Sequence, residues 1–169
     1  METEKRYEFD EVTLLSPIAV GVPGKRTFFM VIGQKNNWLR VWLEKEDLKG
    51  LALGIEQLLF TLSQEHIRFP AEDDGPPISE DIPSGLPSAE LEIIQMALGY
   101  GEEKATIEIL GQKLGSPEEV PTEVYCRASI GQLKKLRRQV KSICDAGRPL
   151  CQVCGGPIDP SGHICPNLN

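Results

Sequence analysis

The chain has 169 residues, of which 40% are hydrophobic, and a formal net charge of −7. This length is enough for one domain with a sizeable core and a small appendage, and it excludes two unrelated large domains. The negative charge argues against a protein that coats nucleic acid. The charged first residues and the lack of an apolar run of about 20 residues predict a cytoplasmic protein without a membrane span, in which cysteines stay reduced.

The first third of the chain has the pattern of a β-sheet. Two apolar, β-branched and aromatic runs flank a Pro-Gly pair at 23–24, which is typical of a tight turn, so a hairpin is expected there. A second turn at 35–37 leads into a further alternating run. This region therefore predicts four strands between about residues 5 and 44.

Two segments have helical periodicity instead. Between residues 46 and 66 the apolar side chains fall on one stripe, which predicts a helix packed on the sheet. A second helix follows Ser129, which forms a capping-box pattern with Gln132. Off the first apolar stripe lies a row spaced by seven, which either is covered by a loop or contacts another subunit; its members are Leu53, Phe60 and Ile67.

Strands are expected again between the two helices, so the order strand, strand, helix occurs twice. We therefore predict an α+β fold: a largely antiparallel sheet with two helices on one face, which suggests a duplicated strand-strand-helix unit around a pseudo-twofold axis. Residues 1–147 form the α+β domain in this interpretation, and 148–169 form a zinc-knuckle tail. The acidic, Pro-rich stretch at 69–88 is interpreted as a flexible insertion.

The tail contains four residues with metal-ligand spacing: Cys151, Cys154, His163 and Cys165. A Cys-x-x-Cys-Gly sequence lets two thiolates reach one ion from a tight knuckle, and His-x-Cys completes a tetrahedral set that zinc favours. A thioredoxin-like redox pair would need a helix, which Gly-Gly-Pro at 155–157 disfavours. An iron–sulfur cluster and unligated thiols remain as alternatives to structural zinc.

The stretch 127–150 is basic, with seven basic residues and one acidic residue. On the second helix four of them point away from the apolar stripe and are candidate anion- or partner-binding residues: Lys134, Lys135, Arg138 and Lys141. A solvated helix face is the plain alternative. An enzyme that acts on a phosphorylated metabolite would need these cations to converge with an acid or with His66.

Three segments together resemble one known family. They are V-P-G-K-R-T-F-F near the start, L-E-K-E-D-L at the opening of the first helix, and the tail from A-G-R-P-L-C to G-H-I-C-P. The chain is similar over nearly its whole length to an uncharacterised bacterial family, domain of unknown function 3090. The resemblance implies metal-ligand roles for the tail cysteines and histidine and implies no established activity.

The sequence therefore favours a non-enzymatic, zinc-stabilised binding or adaptor protein with structural zinc as its cofactor. Its partner is expected to be another protein or a second copy of the chain, and no membrane binding is expected. Nucleic-acid binding by the basic helix and the knuckle is the alternative, and enzymatic action on a phosphorylated metabolite is a further one.

Overall fold

The computed structural model describes residues 5–65, 83–147, 149–159 and 162–167. Within these residues seven strands form one sheet, and two helices pack on it. The predicted insertion at 69–88 lies outside the described residues up to position 82. The elements in chain order are β1 Arg6–Phe9, β2 Leu14–Val20, β3 Thr27–Gln34, β4 Asn37–Leu43, α1 Lys45–Gln64, β5 Ala89–Gly101, β6 Lys104–Lys113, β7 Thr122–Ala128 and α2 Ile130–Asp145.

The four strands predicted before residue 44 are present. β2 and β3 pair antiparallel as a hairpin, and the amide of Lys25 closes its turn by donating to the carbonyl of Val22 at 2.9 Å. β3 and β4 form a second antiparallel pair, with Gln34 opposite Asn37 at the turn. The hairpin predictions at 23–24 and 35–37 are therefore confirmed.

The sheet order is β1-β7-β6-β5-β4-β3-β2, and the prediction of a largely antiparallel sheet is wrong. The sheet is mixed, because β4 runs parallel to β5 and β1 runs parallel to β7. The first parallel pair arises because α1 lies between β4 and β5 in the chain, and such a crossover returns the chain in the same direction. Strand propensity carries no information on direction, so the sequence pattern alone did not predict it.

A three-stranded meander followed by a helix occurs twice, as β2-β3-β4-α1 and as β5-β6-β7-α2. The two meanders meet through a short overlap, because only Leu39–Trp42 of β4 pair with Ala89–Glu92 of β5. The origin of this order in a duplicated unit stays a prediction.

The sheet is strongly curved. β1 and β2 are its two edge strands, and a flat sheet of this size would hold them about 29 Å apart. The four residues at 10–13 that join Phe9 to Leu14 span at most about 18 Å. The edges are therefore drawn together at this end, where the amide of Thr13 donates to the carbonyl of Gly33 at 3.0 Å.

The main core lies between the helices and the concave face of this sheet, and α1 packs on α2. A fully buried leucine in such a core contributes about 1.5–3 kcal/mol relative to an exposed one. A smaller cluster lies on the opposite sheet face, where it includes Phe29 and Trp38. Fully buried residues of the main core include Met30, Ile32, Leu39, Ile55, Leu91, Ile107, Leu133 and Leu136.

Both helices begin with a capping box. In α2 the hydroxyl of Ser129 accepts from the amide of Gln132, and the Gln132 side chain accepts from the amide of Ser129, as the sequence predicted. In α1 Glu44 and Asp47 take the equivalent positions. Among the described residues no helix is long and apolar enough to cross a membrane.

Candidate metal centre

The tail forms a compact knuckle directly after α2. Its two arms are joined by a β-bridge between Leu150 and Pro157, and the amide of Ile158 donates to the carbonyl of Pro149 at 2.7 Å. Gly155 adopts φ +74°, a left-handed conformation that glycine accepts without strain. This turn is the reason why the first two cysteines point to the same side.

Backbone amides surround the thiols of this turn. The amide of Gly156 donates to the Sγ atom of Cys154 at 3.4 Å, and the amide of Gly155 donates to the carbonyl of Cys151 at 2.9 Å. Amides directed at sulfur stabilise the thiolate, which is the form that binds metal.

The second ligand pair returns through a separate turn. Asp159 and Gly162 form a β-bridge, and the amide of Gly162 donates to the carbonyl of Asp159 at 2.9 Å. This reversal brings the Nε2 atom of His163 to 3.2 Å from the Sγ atom of Cys154. It also brings the Sγ atom of Cys165 to 3.9 Å from that of Cys151.

All four ligand atoms lie within 4.8 Å of one another, so this Cys3His group could hold a metal ion. A tetrahedral zinc ion with bonds of about 2.3 Å to sulfur and about 2.0 Å to nitrogen separates its ligands by about 3.5–3.8 Å. The two distances of 3.2 and 3.9 Å lie close to this range, and all four atoms lie within 4.8 Å of one another. The donor set and the spacing therefore fit a single ion.

The thiols of the knuckle differ in acidity. The backbone amides of Cys154 and Val153 lower the pKa of the Cys151 thiol to about 6. Cys165 is only 7% exposed, and desolvation raises the pKa of its thiol. The turn around Cys151 thus favours the thiolate form of that residue. The buried Cys165 favours the neutral thiol, and a nearby cation would be needed to stabilise its thiolate.

The basic residues predicted to bind an anion or a partner lie on α2, and α1 neutralises part of their charge. Of the four, Lys141 lies 3.6 Å from the carboxylate of Glu56, which also lies 3.2 Å from Arg137, a neighbour outside the predicted set. Lys134 and Lys135 also have interaction partners. Arg138 is exposed and forms no ion pair with a described residue. Their role in binding stays a prediction.

Sequence reasoning missed Glu56. It faces Arg137 across 81 residues of chain, and only the packing of α1 on α2 brings the two together. It also missed the positive charge at the end of α2, where Arg26 donates to the carbonyl of Ile143 at 2.8 Å. No periodicity in the sequence signals either contact.

The apolar row on α1 is exposed where the structure describes it. Leu53 is 56% exposed and Phe60 is 66% exposed. The third member, Ile67, lies outside the described residues, as does His66. Oligomer formation through this row stays a prediction.

The two remaining cysteines have structural positions. Cys126 is 1% exposed on the inner sheet face, and burial raises the pKa of its thiol to about 12. Cys144 packs against the main core, and burial is the largest cause that raises its pKa. A thiol that stays protonated is a poor nucleophile. Cys126 therefore has the environment of a small buried hydrophobe.

These features define an α+β protein. Its curved mixed sheet carries two helices on one face, and a tail with a Cys3His group follows the second helix. A search of curated proteins finds no match to this chain. The chain belongs to the family described as Protein of unknown function (DUF3090), whose model matches residues 7–165. The match includes all four residues of the Cys3His group.

Proposed function

We propose that this chain is a non-enzymatic, zinc-stabilised binding or adaptor protein. In this proposal Cys151, Cys154, His163 and Cys165 hold one structural zinc ion. The observation that carries it is the convergence of one imidazole and three thiol ligands within 4.8 Å. When bound, zinc would act as a cross-link between the two turns of the knuckle.

The donor set favours zinc over other metals. Zinc binds thiolate and imidazole in tetrahedral geometry, whereas magnesium and calcium require oxygen ligands. The four ligands come from one chain and complete the tetrahedron. A closed site leaves no position for a water or a substrate, so the expected role is structural.

The knuckle has little apolar core of its own, which supports both parts of the proposal. Three large apolar side chains next to its ligands are exposed: Leu150 by 67%, Val153 by 52% and Ile164 by 92%. They contribute little to folding of the tail, so a bound ion would supply much of its stability, on the order of 10 kcal/mol. An apolar surface on a rigid knuckle suits contact with another protein.

Elemental analysis tests the metal. We expect about one zinc per chain in the wild type and much less in Cys151→Ser. Cys126→Ser is the matched control because it removes a thiol outside the knuckle. Iron in the wild type, or equal zinc in wild type and Cys151→Ser, would overturn the structural zinc site.

The binding role needs a separate test. Cross-linked complexes from source cells are compared between the wild type and Ile164→Ser, which removes exposed apolar surface without touching a ligand. We expect specific partners that are lost in Ile164→Ser at unchanged metal content. A chain that stays monomeric at high concentration and captures no specific partner contradicts the adaptor function.

Nucleic-acid binding is the second candidate. It is supported by the exposure of Lys134, Arg138 and Lys141, whose spacing of four and three residues puts them on one side of α2. Its signature would be an affinity that falls steeply with salt and disappears on charge reversal at Lys134, Lys135 and Arg138. Absence of binding to duplex and single strands at low salt would eliminate it.

A further inference from the structure

The second half of β5 forms an open edge of the sheet. Only Ala89–Glu92 of β5 pair with β4, so within the part of the chain that the structure describes the neighbour of Ile93–Gly101 is β6 alone. All of these residues are exposed or half-buried. β4 ends at Leu43, and the chain turns into α1 instead of continuing along β5.

Backbone hydrogen-bonding groups point out of this edge. Glu102 and Glu103 form a two-residue turn with φ 52° and 65°, so Gly101 and Lys104 are the hydrogen-bonded pair that closes the hairpin. Such pairs alternate along an antiparallel ladder. The amides and carbonyls of Met96 and Leu98 therefore point away from β6, into the open side.

The open edge borders a groove of about 410 Å³, whose other wall is the first part of α1. Gly50 and Gly54 line this wall, and a Cβ atom added to Gly50 would meet nothing within 4 Å. The groove is therefore open at Gly50, whereas at Gly54 the helix packs on the strand, because a Cβ there would lie 3.1 Å from the Cδ1 atom of Leu98. Ile94, which lies at a β-bulge, lines the groove as well and is 53% exposed.

The edge has few of the devices that protect exposed strands from pairing. Natural edge strands use charged side chains or proline for this purpose. The sequence from Ile93 to Gly101, IIQMALGYG, contains neither, and the bulge between Ile93 and Gln95 is the interruption present. An uncharged strand whose outward backbone groups have no partner among the described residues, and which borders a groove, is suited to strand addition.

Charge around the groove favours a basic occupant. Glu46 and Asp47 line it; Glu46 also pairs with Lys49 at 3.5 Å, and the carboxylate of Asp47 accepts from the amide of Glu44. Glu92 and Glu103 lie beyond the two ends of the open edge. Glu92 and Glu103 form no ion pair with a described residue. Two copies of a chain with a charge of −7 would repel and would bring such acids together, whereas lysines and arginines would complement them.

We infer that the groove between α1 and β5 binds an extended segment of a partner protein, in which alternating apolar residues are flanked by lysine or arginine. The segment adds as a strand to Ile93–Gly101, hydrogen-bonds the outward groups of Met96 and Leu98, and places its basic flanks at the acidic ends. This inference rests on the adaptor function proposed above and names its surface and partner. It does not depend on the metal.

The test is fluorescence anisotropy with two labelled peptides. The basic probe is Lys-Lys-Val-Thr-Val-Thr-Val-Lys-Lys, and the acidic control replaces each lysine with glutamate. We expect the basic peptide to bind at least about tenfold more tightly than the acidic one. Equal binding of the two peptides, or no binding of the basic one, would overturn the inference.

Matched variants at Gly50 locate the binding site. Gly50→Trp projects a large side chain into the groove and is expected to weaken peptide binding by about tenfold or more, whereas Gly50→Ala keeps the groove open and retains the affinity. An unchanged affinity in a folded Gly50→Trp contradicts the placement. Metal content should match the wild type in both variants, so a failure here is distinct from a failure of the zinc site.

N-methylated peptides test the hydrogen bonds without any substitution in the protein. Methyl groups on alternate amides face β5 in one peptide and solvent in the other, so only one of the two should lose binding. Equal affinities contradict strand addition. Analytical sedimentation of the wild type tests whether a second copy of the chain occupies the groove instead. A dimer of twice 18.7 kDa that Gly50→Trp dissociates would assign the groove to that second copy and would overturn the partner segment.

Discussion

The side-chain amide of Gln132 donates a hydrogen bond of 2.9 Å to the carbonyl of Val12, 120 residues earlier in the chain. Gln132 is 2% exposed and also caps the start of α2 through its contact with Ser129. One buried side chain therefore joins the first turn of α2 to the connection between the two edge strands. This contact holds the curved sheet against the helix.

Gln132→Ala should destabilise the protein by about 1–3 kcal/mol, because it leaves a buried carbonyl at Val12 and an amide at Ser129 without their partners. Urea unfolding measures the difference. Gln57→Ala on the exposed side of α1 is the control, expected to stay within about 0.5 kcal/mol of the wild type. Equal effects of the two substitutions would contradict the role of this bond.

Gly33 requires glycine. Its φ is +140°, and an added Cβ would lie 2.4 Å from the carbonyl oxygen of Asn37 and 2.8 Å from the Cα of Trp38. We expect Gly33→Ala to cost several kcal/mol, since backbone atoms would have to move. Gly101→Ala, where a Cβ would meet nothing within 4 Å, serves as the comparison in the same thermal unfolding series.

The free energy of unfolding should fall at alkaline pH partly because of Cys126. Its thiol has a pKa of about 12 in the folded chain against 9.0 in the unfolded chain. The folded state therefore keeps a proton that the unfolded state releases, so this contribution is complete below pH 9 and is lost as the pH rises toward 12.

Cys126→Ala tests this prediction by difference. The wild type should lose up to about 1.4 kcal/mol per pH unit more than Cys126→Ala above the unfolded pKa. Urea unfolding at a series of pH values under reducing conditions measures both slopes. Identical slopes would mean that Cys126 does not titrate differently in the two states.

The ion pairs of Glu56 should contribute little and depend on salt. The side chains of Arg137, Lys141 and Glu56 are 34%, 58% and 39% exposed, and pairs at such positions contribute about 0.2–1 kcal/mol. Glu56→Gln should therefore destabilise only slightly at low ionic strength, and the loss should shrink at about 1 M salt. A larger loss at high salt would contradict screening of these pairs.

Removal of metal should loosen the tail and leave the sheet intact. After treatment with a chelator, hydrogen exchange is expected to accelerate in peptides that cover 149–165 and to stay slow in β6 and β7, because the main core cluster contains none of the described tail residues. Uniform acceleration in both regions would show that the ion stabilises the whole chain.

The sequence predicted those features that depend on neighbouring residues. The hairpin turns, the stripe of α1 and the capping box of Ser129 arise from local geometry and from the alternation of apolar side chains. The Cys3His group of the knuckle was predicted for the same reason, since two short turns suffice to bring Cys151, Cys154, His163 and Cys165 together. Its role as a metal site stays a proposal.

Long-range relationships were not predicted correctly or were not predicted at all. The direction of β5 beside β4 depends on where α1 packs, and the expectation of a largely antiparallel sheet was wrong for that reason. The pairing of Glu56 with Arg137 depends on how the two helices meet. The exposed backbone edge of β5 depends on how many residues of β5 pair with β4.

By itself, the sequence determined the α+β class, the positions of the first four strands and both helices, and a knuckle with metal-ligand spacing. The tertiary structure decided the mixed sheet, its curvature, the neutralisation of α2 by α1 and the open groove beside β5. Local preferences of the chain set the first group. The second depends on which surfaces bury each other, and that is settled only when distant elements pack.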